Sequence, residues 1–371
     1  MTLQDFLTRR TDSSAVEDRT GSATIEQARV DLHSRSGKQR VCDGILEAVG
    51  NTPLVRLRRY LPLARFQLFA KVEALNPAGS IKDRPATLIL EEALRSGVLR
   101  PGAVVIESSS GNMGIGLAQA CRYHGLRFVC VVDPKTTASN LLVMRAYGAE
   151  IDLVREPDPE SGEFLQARLK RVHELLGRIE NSFWPNQYEN KRNSEAHYRT
   201  TMHEVAVALD GKVDFLFVPT STCGTLRGCS EYVRDQGLAT RVIAVDAFGS
   251  LIFGTVQAKR LVPGLGAGLR PPLCNPALIA SHVHVNDLDC IAGCRRLMTR
   301  EAIFAGGSSG GVLAAVEAYE KRIPADAAVV AILPDRGERY LETLFCDDWV
   351  REHFGEVEHL WRGCPGRPRG R

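Results

Sequence analysis

Asn76-Pro77-Ala78-Gly79-Ser80-Ile81-Lys82-Asp83-Arg84 sets one lysine in a small, polar, glycine-bearing turn between two elements of different period. Upstream, Leu68 to Leu75 is an apolar run broken by Lys71 and Glu73, which reads as a strand over 68–75. Downstream, Ala86, Leu90, Ala93 and Leu94 recur at helical spacing, which reads as a helix over 86–98. A fixed backbone at such a turn can hold Lys82 against a ligand. If partly desolvated, its ammonium gives up a proton more readily, as a Schiff-base lysine requires. A solvated lysine near a helix start would do none of this. Lys82 therefore takes its meaning from the other loops.

The strand–turn–helix step repeats along the chain. Short apolar runs predict strands over 103–108, 127–133, 150–154, 213–219, 241–247 and 327–333. Amphipathic stretches predict helices over 112–124, 137–147, 161–177, 194–209, 224–236, 291–303 and 309–321. Near-continuous apolar strands separated by helices imply α/β architecture, with parallel sheets covered on both faces. The length of 371 residues accommodates two such doubly wound units. Ligands of such sheets sit beyond the carboxyl ends of the strands, where loops lead into helices.

Composition excludes several classes. Hydrophobic content of 44% and charged content of 25% are those of an ordinary globular protein. A net charge of +3, with Lys and Arg spread along the chain, leaves no footprint for nucleic acid. No apolar run reaches the roughly 18 residues of a membrane span, and the start, Met1-Thr2-Leu3-Gln4-Asp5, lacks a secretory pattern. The ten cysteines form no CxxC pair and no zinc-spaced cluster, so they read as reduced thiols of a cytoplasmic protein without a metal. Residues 1–40 are polar and weakly periodic and read as an extension. The basic, turn-rich residues 356–371 read as a flexible tail.

Three loops offer chemistry. Ser108-Ser109-Ser110-Gly111-Asn112-Met113-Gly114-Ile115-Gly116 follows a strand and opens a helix, whose first N–H groups form an anion pocket. Its Gly-x-x-Gly-x-Gly order is not the dinucleotide Gly-x-Gly-x-x-Gly. Pro219-Thr220-Ser221-Thr222-Cys223-Gly224-Thr225-Leu226-Arg227-Gly228 also runs from a strand into a helix and suits a phosphate, without the lysine of a Walker A loop. Phe304-Ala305-Gly306-Gly307-Ser308-Ser309-Gly310-Gly311 places serines where one can meet a ring nitrogen or cap the next helix. Each loop alone is also an ordinary capped turn. Together with Lys82 they suit a ligand with an aldehyde, a phosphate and a ring nitrogen, which pyridoxal 5′-phosphate supplies.

From these motifs the chain resembles the fold-type II pyridoxal-phosphate enzymes, specifically the cysteine synthase and cystathionine β-synthase family, across about residues 43 to 350. Gly50-Asn51-Thr52-Pro53-Leu54-Val55 resembles the family's opening motif, and Asn76 to Arg84 carries its Schiff-base lysine at Lys82. The resemblance implies the tryptophan synthase β-like fold, with two doubly wound domains. The expected division is a larger cofactor-binding domain of 41–85 and 190–355, and a smaller, mobile substrate domain of 86–189. The resemblance also implies cofactor contacts from Asn112, from the phosphate loop Ser221, Thr222, Cys223, Gly224 and Thr225, and from Ser308 facing the pyridine nitrogen. Ser109, Ser110, Gly111, Met113, Gln187 and Tyr188 are the implied substrate residues. A homodimer acting on small amino-acid substrates is implied as well.

Departures from the pattern bear on specificity. Met113 stands where cysteine synthases carry threonine, and Ser221 and Cys223 replace two glycines of the phosphate loop. The stretches Val245–Gly254, Phe304–Ser309 and Leu333–Tyr340 resemble family members that join O-phospho-L-serine to L-glutamate, at the start of 2,3-diaminopropionate and siderophore biosynthesis. That implies a β-replacement in which Lys82 moves the Cα proton, phosphate leaves Cβ and the glutamate amine adds there. Glutamate needs cations for its two carboxylates, for which Arg192, His197, Arg199 and Arg227 are candidates. A cysteine synthase, a cystathionine β-synthase and a non-catalytic scaffold of the same fold are the competing readings. Intact Lys82 and Asn112 argue against the last.

Overall fold

The computed structural model describes residues 41–362. The expected extension of residues 1–40 lies outside them, as does the tail beyond residue 362. A six-stranded sheet has the order β1-β2-β10-β7-β8-β9. Its strands are β1 (Leu54–Arg56), β2 (Gln67–Val72), β7 (Phe215–Pro219), β8 (Arg241–Ala247), β9 (Ser281–Val285) and β10 (Ala328–Leu333). All pairings are parallel except that of β1 with β2. A second, four-stranded parallel sheet has the order β5-β4-β3-β6. It comprises β3 (Val104–Ser108), β4 (Arg127–Val132), β5 (Glu150–Leu153) and β6 (Ser182–Phe183).

Burial explains which strands were visible in the sequence. The central strands β3, β7 and β10 are buried along almost their whole length; β7 and β10 are apolar throughout, and β3 is apolar up to Glu107 and Ser108 at its end. The missed strands lie at sheet edges: β1 and β6 are two or three residues long, and β9 alternates Ser281, His282, Val283 and His284 at a half-exposed edge. The expected strand end at 73–75 is instead a 3₁₀ turn, in which Glu73 is buried. Its carboxylate takes 2.6 and 2.8 Å hydrogen bonds from Arg84, so the turn leads the chain out of β2 toward the lysine loop.

The helices are α1 (Asp83–Arg95), α2 (Asn112–Tyr123), α3 (Ala138–Ala146), α4 (Phe164–Arg178), α5 (Lys191–Ala196), α6 (His203–Ala208), α7 (Gly224–Asp235), α8 (Asp287–Glu301), α9 (Gly307–Tyr319), α10 (Asp347–Phe354) and α11 (His359–Arg362). A π-helical stretch, His197–Met202, joins α5 to α6, so the helix expected over 194–209 is continuous but locally widened. The segment expected to be a flexible tail from 356 starts as ordered chain. In α11, Trp361 is buried, with the Arg295 guanidinium 4.6 Å from its ring centroid. The sequence hid this because a single tryptophan among charges gives no periodic signal. Among the described residues, no helix is long and apolar enough to cross a membrane.

Candidate active site

Lys82 sits at the start of α1, where a bridge between Ser80 and Asp335 ties its turn to the end of β10. Gly79 has φ +88°, and a Cβ there would lie 3.1 Å from both Arg336 and Arg339. A side chain would therefore be strained and crowded at this position. Asp83 fixes the turn from below by accepting a 2.6 Å hydrogen bond from the Ala78 N–H. Burial pushes the Lys82 ammonium below its usual pKa, while the Asp335 carboxylate pulls the other way. The result is a lysine more easily deprotonated than a surface one.

A cleft of about 200 Å³ opens at this lysine, lined by Ser109, Ser110, Gly111, Asn112, Met113, Gln187, Tyr188, Ser221, Thr222, Thr225 and Ser308. Residues far apart in sequence thus meet beyond the carboxyl ends of β3, β7 and β10. In the loop before α2, the Ser109 Oγ accepts the Gly114 N–H at 2.9 Å. Asn140 of α3 donates to the Ser110 carbonyl at 3.0 Å, and Gln187 donates to the Ser108 carbonyl at 3.1 Å. The loop is therefore held from both sides. Burial raises the pKa of the Tyr188 hydroxyl, which keeps it a neutral donor.

The second loop enters α7. Thr222 and Thr225 line the cleft, while Cys223 and Gly224 do not. The Cys223 side chain packs with Ile252, Ala267 and Leu273, away from the cleft. Its backbone adopts φ +64°, the left-handed conformation that suits the glycine it replaces. Gly224 is required by proximity, since a Cβ would lie 2.1 Å from the Asn193 Oδ1. Asn193 also donates to the Gln187 carbonyl at 2.7 Å and to the Thr222 Oγ1 at 3.2 Å, joining the two sides of the cleft. His197 reaches the Thr225 hydroxyl at 3.2 Å and the Thr201 hydroxyl at 3.0 Å. Burial and the nearby Lys82 and Arg84 charges hold its pKa well below the usual histidine value, so it is a neutral support.

The cations expected to meet the second substrate do not line the cleft. Arg192 and Arg199 both pair with Glu195, Arg227 pairs with Glu231, and His197 is committed to the two threonines. These partners are neighbours on the same helical stretch, and such local pairs were satisfied before any ligand could be. Among the described residues, the cations that line the cleft besides Lys82 are Lys135 and Arg168. Lys135 lies in the loop after β4. Arg168 is buried on α4, 3.2 Å from Asp133. It takes the first place in the stripe Arg168, Val172, Leu175, so a charged residue on an apolar helix face was the overlooked signal.

Asp335 is the other site residue that sequence reasoning gave no role. Its Oδ2 accepts hydrogen bonds from the Asn112 Nδ2 at 2.8 Å and the Tyr340 hydroxyl at 2.5 Å. Burial raises its pKa. Its backbone carbonyl takes the Gly306 N–H at 3.1 Å, which positions the turn carrying Ser308.

These groups fit pyridoxal phosphate. Lys82 supplies an amine, and the start of α7 supplies N–H groups beside the Thr222 and Thr225 hydroxyls for a phosphate. Ser308 supplies a neutral hydroxyl in the first turn of α9. The buried Ser108 Oγ, on the cleft lining, has no hydrogen-bond partner among the described residues, as a polar wall awaiting a ligand would have none.

Comparison with known proteins agrees. Residues 45–335 match the family model described as "Pyridoxal-phosphate dependent enzyme". A relative from Ralstonia nicotianae, N-(2-amino-2-carboxyethyl)-L-glutamate synthase, is 45% identical over 310 residues, covering 84% of this chain and 91% of its own. Among solved structures, O-ureido-L-serine synthase superposes with a TM-score of 0.77 at 30% identity, over 83% of this chain and 98% of that one. The O-acetylserine dependent cystathionine beta-synthase of Helicobacter pylori gives 0.77 at 28% identity, over 82% and 99%. The family model spans most of the chain and the solved structures superpose over four fifths of it, and this chain belongs to the pyridoxal-phosphate dependent enzymes of fold type II.

Proposed function

We propose that the enzyme performs a β-replacement that joins O-phospho-L-serine and L-glutamate to N-(2-amino-2-carboxyethyl)-L-glutamate, releasing phosphate. The observation that carries this reading is the pair of cations, Lys135 and Arg168, on the wall of the cleft beside Lys82. Phosphoserine carries an extra dianion and glutamate an extra carboxylate. Sulfide and an O-acetyl group need no such cations. The 45% identity to a synthase of this name supports the same substrates. The product would feed 2,3-diaminopropionate and siderophore biosynthesis, in the cytoplasm, with the enzyme as a homodimer.

Bound pyridoxal phosphate would supply an electron sink for the bond broken at the substrate Cα. Lys82 would hold the cofactor and then, freed by the substrate amine, carry the Cα proton at its Nζ. Its lowered pKa suits both tasks. The N–H groups at the start of α2, with Ser109 and Ser110, would bind the carboxylate of the first substrate. Asn112, anchored on Asp335, would orient the ring. A neutral Ser308 at the ring nitrogen would leave that nitrogen unprotonated and favour elimination over longer-lived carbanion chemistry. Arg168 would then bind a glutamate carboxylate, so that the amine meets Cβ in line.

The competing reading is a cysteine synthase that uses O-acetylserine or O-phosphoserine with sulfide; the likeness to an O-acetylserine dependent enzyme favours it. The deciding experiment is absorbance of the holoenzyme with O-phospho-L-serine, followed by L-glutamate or sulfide. Glutamate should restore the resting spectrum and yield the coupled product by mass. Recovery with sulfide alone would establish the cysteine synthase.

A further inference from the structure

Cys223 stands where the phosphate loop would otherwise have glycine, yet its thiol is not spent on the cleft. It is 2% exposed and packs with Ile252, Ala267 and Leu273. Cys274, from the turn closed by its own N–H to the Pro271 carbonyl at 2.9 Å, packs against the same cluster. Both thiols belong to one packed cluster and influence each other's ionisation, although they lie 51 positions apart in sequence. They differ in access: Cys223 is buried, while Cys274 is partly open to solvent. Arg270, whose Nε donates to the Ile252 carbonyl at 2.8 Å, lies on the same turn and favours a thiolate at Cys274. Asp246 faces the pair from β8 and opposes it, and Lys82 faces Cys223. The contact with Cys223 is the largest influence lowering the Cys274 pKa.

We propose that Cys223 and Cys274 are a peroxide-oxidisable dithiol whose disulfide loosens the phosphate loop. Hydrogen peroxide is the oxidant. The Cys274 thiolate attacks one peroxide oxygen; an S–O bond forms, the O–O bond breaks, and the departing hydroxide becomes water. Cys223 then attacks the sulfenic sulfur, an S–S bond forms, and the hydroxyl leaves as a second water with the Cys223 proton. Two thiols and one peroxide become one disulfide and two waters. An S–S bond is about 2 Å long, shorter than any non-bonded contact between two thiols. Closing that gap draws the backbone at Cys223 toward the 271–274 turn. This backbone leads straight into Gly224 and Thr225 at the start of α7, so the shift misaligns the N–H groups that the phosphate needs. The functional half of this inference rests on the cofactor reading above. The covalent half does not, because it is read by mass alone.

The test is peroxide treatment of full-length holoenzyme, alkylation of the remaining thiols, and peptide mass mapping. A peptide pair linking Cys223 to Cys274, lighter by two hydrogens and separated by dithiothreitol, is expected. Bound cofactor absorbance should fall on gel filtration of the oxidised protein and be recovered on reduction with added pyridoxal phosphate. Cys274→Ser should fold, bind cofactor in the reduced state as the parent does, and keep it after peroxide. Cys223 and Cys274 both found alkylated after peroxide, or Cys274 found as sulfinic acid without the link, would overturn the proposal. A link that forms while cofactor retention stays unchanged would overturn its regulatory half. Loss of cofactor in Cys274→Ser at the same rate as in the parent would assign the effect to another thiol, and would also overturn it.

Discussion

Asn112 and Asp335 lie 223 positions apart, and the Asn112 Nδ2 donates to the Asp335 Oδ2 at 2.8 Å. The bond joins the start of α2, beside the four-stranded sheet, to the loop after β10 of the six-stranded sheet. The same oxygen accepts the Tyr340 hydroxyl, and the same residue bridges to Ser80 in the lysine turn. One buried carboxylate thereby registers three walls of the cleft.

Removing Asn112 leaves the buried Asp335 Oδ2 with the Tyr340 hydroxyl alone, and removing Asp335 leaves the half-buried Asn112 amide without this acceptor. Asn112→Ala and Asp335→Ala are each expected to cost roughly 1–3 kcal/mol in urea denaturation of the cofactor-free protein. The double variant should cost less than the sum, with a coupling of roughly 0.5 kcal/mol or more. Strict additivity would show that the bond contributes nothing to stability.

Lys82→Ala should keep the fold, as judged by far-ultraviolet circular dichroism. It should lose turnover and the absorbance of the bound cofactor near the visible–ultraviolet boundary. Retention of either signal would remove Lys82 from the chemistry.

Arg168→Gln should raise the KM for L-glutamate roughly tenfold or more, the effect of losing about 1.4 kcal/mol of binding. Arg168→Lys should recover only part of it, because an ammonium cannot match the two-pronged guanidinium. The rate at which O-phospho-L-serine alone alters the spectrum should change less. An unchanged glutamate KM would turn attention to Lys135.

Glu107, at the end of β3, receives hydrogen bonds from the Trp184 Nε1 at 3.1 Å and from the N–H groups of Ser108 and Gln187 at 2.8 and 3.2 Å. Burial pushes its pKa up to about 7 against that support. Between the ordinary carboxylate value and 7, the folded chain keeps this proton and the unfolded chain has released it. The unfolded state binds fewer protons there, so stability falls as pH rises through this window. The contribution is at most about 3 kcal/mol. Urea titrations at pH 5 and 7.5 should show this loss in the parent and a smaller one in Glu107→Gln. Equal losses would mean that Glu107 titrates as an ordinary carboxylate.

Much of this was legible in the primary structure. The lysine turn announces itself through Gly79, Ser80 and a change of hydrophobic period, which are local properties. The Ser109–Asn112 and Ser221–Thr225 loops do so through small residues at strand-to-helix junctions. The central strands are legible because burial on both faces demands continuous apolar runs. The edge strands β1, β6 and β9 are not, because each is short or half-solvated and is made a strand by its neighbour.

The sequence by itself determined the parallel α/β architecture, the turn that carries Lys82 and the small-residue loops at strand-to-helix junctions, since each depends on residues adjacent in the chain. Only the tertiary structure decided which cations face the cleft. Arg192, Arg199 and Arg227 pair with glutamates within their own helical stretches and stay off the cleft, whereas Arg168, beside Asp133, lines it from an otherwise apolar helix face. It also decided that Cys223 turns from the cleft toward Cys274, and that Asp335 receives Asn112. Those outcomes depend on distances between segments far apart in sequence, and such distances are set by how sheets and helices pack rather than by local composition.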